Sequence, residues 1–228
     1  NSISAVMFED FPNVSDLDYK ICDINEEISS DSGIAAYFNV PALDGTTPRQ
    51  MRVNPDLGDV NSVSTYSTVA HEGYPGHMYQ YAYAYTNLDS PFRKVLAESS
   101  AYTEGWATYA QYSAFDYLTD IDPDYLALIR ENELVFYDLV VLADIGIHYD
   151  GWSFEDFIQN LGDMILGDKE ALYKQLRANT ASWFVLMSMP LCICCLVASI
   201  GSWRLPKGEV MKRNSSRSTG KEYPADCG

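Results

Sequence analysis

Apolar and polar positions do not alternate in any sustained way over the first part of the chain. Residues 1–35 are polar and acidic, carry Pro12, and read as an extended or loop segment. Two short apolar runs follow. Residues 33–40 read as a strand, a turn region with Asp44-Gly45 occupies 41–48, and residues 50–54 form a second strand candidate closed by Pro55. From about Ser62 the pattern becomes helical. Ser62 or Ser64 serves as N-cap, and Pro75-Gly76 breaks or bulges the helix before an aromatic-rich stretch from Met78 to Tyr85 resumes it. Further helices are predicted over about 91–118, 123–148, 152–166 and 169–178. Leu126, Ile129, Leu134, Val135, Leu139 and Leu142 recur at helical spacing in the second of these. Ser153 with Asp156 offers a capping box to the third. A short strand pair followed by helices predicts a mainly α, α+β domain over residues 1–180.

The pattern changes again after residue 180. Residues 181–203 contain no charged side chain, a run long enough to span a bilayer. Arg204, Lys207, Lys212 and Arg213 follow, the sign expected of a cytoplasmic flank, in a polar, Ser-rich tail that reads as disordered over 204–228. Three readings of 181–203 stand: a buried apolar helix, a membrane anchor, or an altered terminus. Membrane contact is expected only through this segment. The chain starts at Asn1 and is read as a fragment, so its N-terminus carries no targeting information and the compartment is not predicted.

Charge narrows the partners. The formal net charge is −17, and the first 203 residues hold nine basic against 29 acidic side chains. Nucleic acid is excluded as a partner, because phosphate binding needs clustered Lys and Arg. The five cysteines include no Cys-x-x-Cys pair, which argues against a thiolate metal site.

The chemistry concentrates in the histidines. Of three in the chain, two stand in His71-Glu72-Gly73-Tyr74-Pro75-Gly76-His77, and Glu104-Gly105-Trp106-Ala107 lies about one helix downstream. Two imidazoles, a carboxylate ligand and a second carboxylate beside the first His are the minimal parts of a catalytic Zn2+ site. The usual spacing of two histidines on one helix face is four residues; here it is six. Six residues of regular helix turn by roughly 600°, leaving the rings roughly 120° apart. A bulge at Pro75-Gly76 can absorb the two extra residues and bring His77 back to the face of His71. The expected ligands are therefore His71, His77 and Glu104, with Glu98 as the alternative third ligand. Glu72 is the expected general base on a metal-activated water, with a peptide as substrate. An amidase acting on a small non-peptide substrate and a catalytically inactive fragment are the competing readings.

Three motifs together resemble a known family: His71 to His77 with Gln80, Tyr102-Thr103-Glu104-Gly105-Trp106-Ala107-Thr108-Tyr109, and Asp144-Ile145-Gly146-Ile147-His148-Tyr149-Asp150-Gly151-Trp152-Ser153. They resemble the bacterial family called domain of unknown function 885, which is similar to the gluzincin zinc metallopeptidases. The resemblance covers about residues 8–180. It implies a zincin-like fold, zinc ligands at His71, His77 and Glu104, and a base at Glu72. It also implies a role for His148 near the active site, bonding substrate or oxyanion, with Asp144 orienting it or a metal-bound His; a helix-terminal His bonded to a backbone carbonyl is the alternative. The strand at 50–54 corresponds to the edge strand that pairs with substrate in such enzymes, which makes Asn54 a substrate-binding position. Tyr74, Tyr79, Tyr102 and Tyr109 are expected to line or support the cleft, with Tyr109 on the substrate, or, for at least half of them, to serve as aromatic packing around the helices. One departure concerns Gln111, where the family often has Glu.

Overall fold

The computed structural model describes residues 3–25, 34–56, 62–96 and 99–178. Glu98, the apolar segment 181–203 and the tail 204–228 lie outside the described residues, so the readings placed on them are not taken further.

Three strands form one small sheet rather than a strand pair. They are β1 (Lys20–Asp23), β2 (Ala36–Asn39) and β3 (Gln50–Val53), in the order β1-β3-β2. β1 runs parallel to β3, and β2 runs antiparallel to it with Phe38 opposite Met51. β1 falls in the stretch read as loop. Lys20, Ile21 and Asp23 are exposed, so the strand is held by backbone pairing and has no apolar alternation to betray it. β3 is the central strand, with a neighbour on each side. It cannot also offer a free edge to a substrate, which corrects the assignment of 50–54. The outer strand near the helices is β2.

The same register decides where the core lies. Phe38 and Met51 point together into a cluster with Met7, Phe11, Tyr74, Met78 and Tyr79, all buried. Arg52 projects from the opposite face, where its guanidinium donates to the Asp23 carbonyl and to Gln50 Oε1. Residues 3–9, another part of the stretch read as loop, form a short helix α1 (Ile3–Val6) and a 3-10 turn whose Met7 is fully buried in this cluster.

The helices that carry the motifs are α2 (Val63–Glu72), α3 (His77–Asn87), α4 (Pro91–Leu96) and α5 (Ser100–Ser113). Ser62 caps α2: its hydroxyl accepts from Thr65 N at 3.0 Å. The predicted helix over 91–118 is three pieces, α4, α5 and a 3-10 turn over Ala114–Tyr117. α2 packs on α5. Ala70 of α2 and Ala107, Thr108 and Ala110 of α5 have essentially no exposed surface. Small side chains let the backbones approach closely, which brings His71 of α2 within reach of Glu104 of α5.

α6 (Pro123–Asp144) starts on an Asp122 cap and ends in a π-helical turn, Ile145–Tyr149. α7 (Phe154–Leu161) begins with the expected Ser153–Asp156 capping box, and α8 (Lys169–Ala178) matches its predicted span. Ala143, Ile147, Phe157, Leu161, Tyr173 and Leu176 form a second buried cluster. The Gly146-to-Trp152 motif belongs to this cluster. A Cβ at Gly146 would sit 2.1 Å from the Trp152 ring, so the indole packs where only a hydrogen leaves room.

Candidate metal centre

The site grows from the break between α2 and α3. α2 stops at Glu72, four residues of turn follow, and α3 begins at His77. The two helices are thus separate, the break rather than the bulge of the two outcomes expected at Pro75-Gly76. The repair falls at the expected residues. Gly76 N donates to the Ala70 carbonyl and Met78 N to the Gly73 carbonyl, so the turn folds back over the end of α2. A Cβ on Gly76 would lie 1.8 Å from the His71 carbonyl oxygen. Trp106, from the Glu-Gly-Trp-Ala motif on α5, closes the turn: its indole N–H donates to the Pro75 and Gly76 carbonyls at 3.1 and 3.3 Å.

This geometry brings His71, His77 and Glu104 together. Glu104 Oε2 is 3.4 Å from His71 Nε2 and 3.5 Å from His77 Nε2. All three ligand atoms lie within 4.8 Å of one another, and the two rings stand edge to face. For bonds of about 2.0–2.1 Å, a tetrahedral ion separates its ligands by about 3.3 Å. The two His–Glu separations are already at that value. Burial pushes the Glu104 carboxyl up, but hydrogen bonds from His71 and His77 and their charges outweigh it and hold it down at about 2. Burial opposes charge on His77 as well, yet the Glu104 bond and the charges of Glu104 and Glu72 raise its pKa above the usual value. Both shifts have one main source, the close approach of His71, His77 and Glu104.

The partners beyond the ligands fix His71. Its Nδ1 lies 3.1 Å from Gln111 Oε1, which accepts only if that nitrogen carries a proton; a neutral ring in this tautomer keeps its Nε2 lone pair for a metal. Gln111 in turn donates to Glu133 Oε2 at 3.3 Å, and the Tyr112 hydroxyl donates to the same oxygen at 2.7 Å. The Gln111 side-chain oxygen is thus placed to accept from His71. His77 is less settled: its buried Nδ1 and the buried Gln80 Oε1, one turn along α3, both lack a well-formed hydrogen bond.

Glu72, beside His71 at the end of α2, sends its carboxylate to the sheet. Its Oε2 accepts from Phe38 N of β2 at 2.7 Å. Two hollows flank it, and Glu72 lines both. One, about 340 Å³, is bounded by Phe38 of β2, by Val40 just past its end, and by His77, Tyr81, Thr103 and Glu104. The other, about 270 Å³, opens on the side of His71 and Glu133.

Three expected positions fall elsewhere. Asn54 is buried; its amide donates to the Ile34 carbonyl and its Oδ1 accepts from Asp56 N, so it braces the end of β3, and it lines neither hollow. Tyr109 packs its half-buried ring against Trp106 and lines neither hollow. His148 is not gathered with the cluster. Its Nε2 is 3.2 Å from the Leu176 carbonyl of α8 and 3.6 Å from Asp144, and it lines neither hollow. Asp144 pairs with this His and with no ligand ring. Of the four tyrosines, Tyr74 and Tyr79 are core residues whose hydroxyls bond the Leu17 and Pro12 carbonyls, and Tyr102 is exposed. The sequence reading also missed Glu133 and the contact from β2. Both come from elements far along the chain, and no spacing relates them to His71.

Residues 1–177 match the model of a family described as "Bacterial protein of unknown function (DUF885)". The chain belongs to the DUF885 family. No curated protein is significantly similar to it. A solved structure, described as that of the "putative lipoprotein from Colwellia psychrerythraea", superposes with a TM-score of 0.69 at 21% identity. The match covers 88% of this chain and 34% of that one, so this DUF885 chain spans about a third of the neighbour's length, and the likeness is one of fold. No helix among the described residues is long and apolar enough to cross a membrane.

Proposed function

We propose that this DUF885 chain carries the centre of a zinc-dependent peptide hydrolase, zincin-like in fold and related to the gluzincins. The reading rests on one observation: three neutral-or-anionic donors converge within 4.8 Å, and a fourth, non-ligating carboxylate stands beside them. The donor set suits zinc. Two imidazole nitrogens and one carboxylate oxygen make a borderline-soft, three-ligand site of the catalytic type.

His71, His77 and Glu104 would hold the ion, which when bound supplies Lewis acidity toward a carbonyl and toward water. Glu72 removes the proton from the attacking water and returns it to the departing amine. The Phe38 N–H holds one carboxylate oxygen and leaves the other for this exchange. β2 is the outer strand, and Phe38 and Val40 line the larger hollow. An extended peptide can lie along this strand and be held by main-chain hydrogen bonds in a chosen register, which favours a peptide over a small amide.

The test is metal analysis beside turnover of a mixed peptide library. The wild-type chain should bind one zinc per molecule and cleave. His71→Ala, His77→Ala and Glu104→Ala should each lose metal, and Glu72→Gln should keep metal and lose turnover by at least about a hundredfold. A wild-type chain without metal affinity, or a Glu72→Gln variant with full turnover, would overturn the reading.

A further inference from the structure

The smaller hollow has a composition of its own. Ser64, Ser67 and Thr68 of α2, Gln111 of α5, and Glu133 and Tyr137 of α6 surround it, together with His71 and Glu72. Every one of these side chains is polar or has a polar tip, none is aliphatic, and none is Lys or Arg. An interior of this kind suits a polar guest.

Two details specify the guest. Ser67 is only 5% exposed, and its Oγ has no hydrogen-bond partner. A buried hydroxyl is rarely left so, and costs stability until something bonds it. Glu133 supplies the charge. Both of its hydrogen bonds, from Gln111 and Tyr112, fall on Oε2, so Oε1 keeps its lone pairs for a donor from the hollow. Glu72, Glu104 and Glu133 together outweigh the charge of one divalent ion, so the hollow stays negative with the centre loaded.

We propose that this hollow is a recognition subsite for a cationic group, a primary ammonium or guanidinium, with Glu133 as counter-ion and Ser67 Oγ as second acceptor. The proposal deepens the peptide-hydrolase reading and rests on it for the identity of the substrate: a peptide presenting Lys or Arg, or its free α-amine, beside the scissile bond. Donor-rich cations fit because all the groups named can accept, and because an anion would meet two carboxylates with no cation to offset them.

Binding separates this proposal from the hydrolysis reading. Calorimetry on metal-stripped and zinc-loaded protein would compare N-acetylated peptides bearing Lys at one position with norleucine isosteres, and the norleucine peptide with a free amine. The metal-stripped arm excludes turnover. A cationic peptide should bind about tenfold tighter than its neutral isostere, with the free-amine arm showing which cation is read. Glu133→Gln should abolish the preference. Ser67→Ala, a milder change within a helix, should reduce it about threefold and serves if Glu133→Gln does not fold. Equal affinity for cationic and neutral peptides, no binding of either, or a preference that survives both variants would overturn the proposal. A cation preference without turnover by the zinc-loaded protein would instead overturn the hydrolase reading and leave the subsite standing.

Discussion

Replacing Gly76 by Ala tests whether the turn between α2 and α3 is what assembles the metal site. The added Cβ would lie 1.8 Å from the His71 carbonyl oxygen and 2.5 Å from that of Ala70. Non-bonded carbon and oxygen approach to about 3.2 Å, so the backbone must open by more than 1 Å. No flexible side chain can yield, because both obstacles are main chain. The Gly76–Ala70 hydrogen bond and the Trp106 bonds to the Pro75 and Gly76 carbonyls are in the path of that movement. Overpacking alone costs about 1–3 kcal/mol and each lost buried hydrogen bond about 1 kcal/mol. A total of about 3–5 kcal/mol follows, a large part of the stability of an ordinary domain. His77 is the next residue, so its ring leaves the position that meets Glu104. The expected outcome is a melting temperature lower by about 10 °C and loss of most zinc affinity, read by thermal unfolding and by metal titration at a temperature where the variant is folded. A Gly76→Ala protein with wild-type melting and wild-type zinc affinity would refute the close approach and the argument built on it.

Three further outcomes are expected. Gln111→Ala removes the acceptor that fixes the His71 ring and should weaken zinc affinity by about 10–100-fold while secondary structure by circular dichroism is unchanged; Gln111→Glu, an acceptor of equal reach, should restore it. Asn54→Ala should cost about 1–3 kcal/mol in denaturant unfolding without altering KM, since the side chain braces backbone and lines no hollow; a raised KM at unchanged stability would return it to the substrate. Asp144→Asn should stabilise the protein at neutral pH. Burial raises the Asp144 pKa, the His148 charge opposing the shift, so the wild type is favoured when this carboxyl is protonated and loses that advantage as pH climbs from 3.8 through the raised value. The gap between variant and wild type should accordingly close on acidification toward pH 3.8, and a gap that widens there would contradict the sign.

Local signals and remote ones differ in how they can be read from sequence. The Ser62 cap, the Ser153–Asp156 box and the helix over 169–178 were legible, because each depends on residues within one or two turns. The convergence of His71, His77 and Glu104 was legible for a related reason: His71 and His77 flank one turn, and Glu104 sits in a motif with Trp106, whose indole closes that turn. Pairing partners were not. β1 has three exposed residues out of four, so its placement depends on the backbone of β3 rather than on any pattern of its own. That hidden neighbour made β3 look like an edge and drew Asn54 toward the substrate. The contact of Glu72 with β2 was hidden too, because it comes from the Phe38 N–H and not from a side chain.

The fate of the third histidine shows what a motif alone can and cannot carry. Asp144 to Trp152 keeps its residue pattern, and the structure gives a packing reason for much of it. Gly146 admits the Trp152 ring, Trp152 N bonds the Gly146 carbonyl at 2.8 Å, and the Tyr173 hydroxyl bonds the Trp152 carbonyl. His148 in turn joins the π turn to α8 through the Leu176 carbonyl. These contacts knit α6, α7 and α8 into the second core without reference to the metal ligands. The carboxylate that does reach the ligand network from α6 is Glu133, three turns earlier on the same helix, through Gln111. The part of α6 that delivers Glu133 is held by another cluster, in which Leu126, Ile129 and Leu134 pack with Tyr112 and Phe115. A substitution at His148 should disturb stability before it disturbs zinc binding, whereas one at Glu133 should act on His71 and on the hollow beside it.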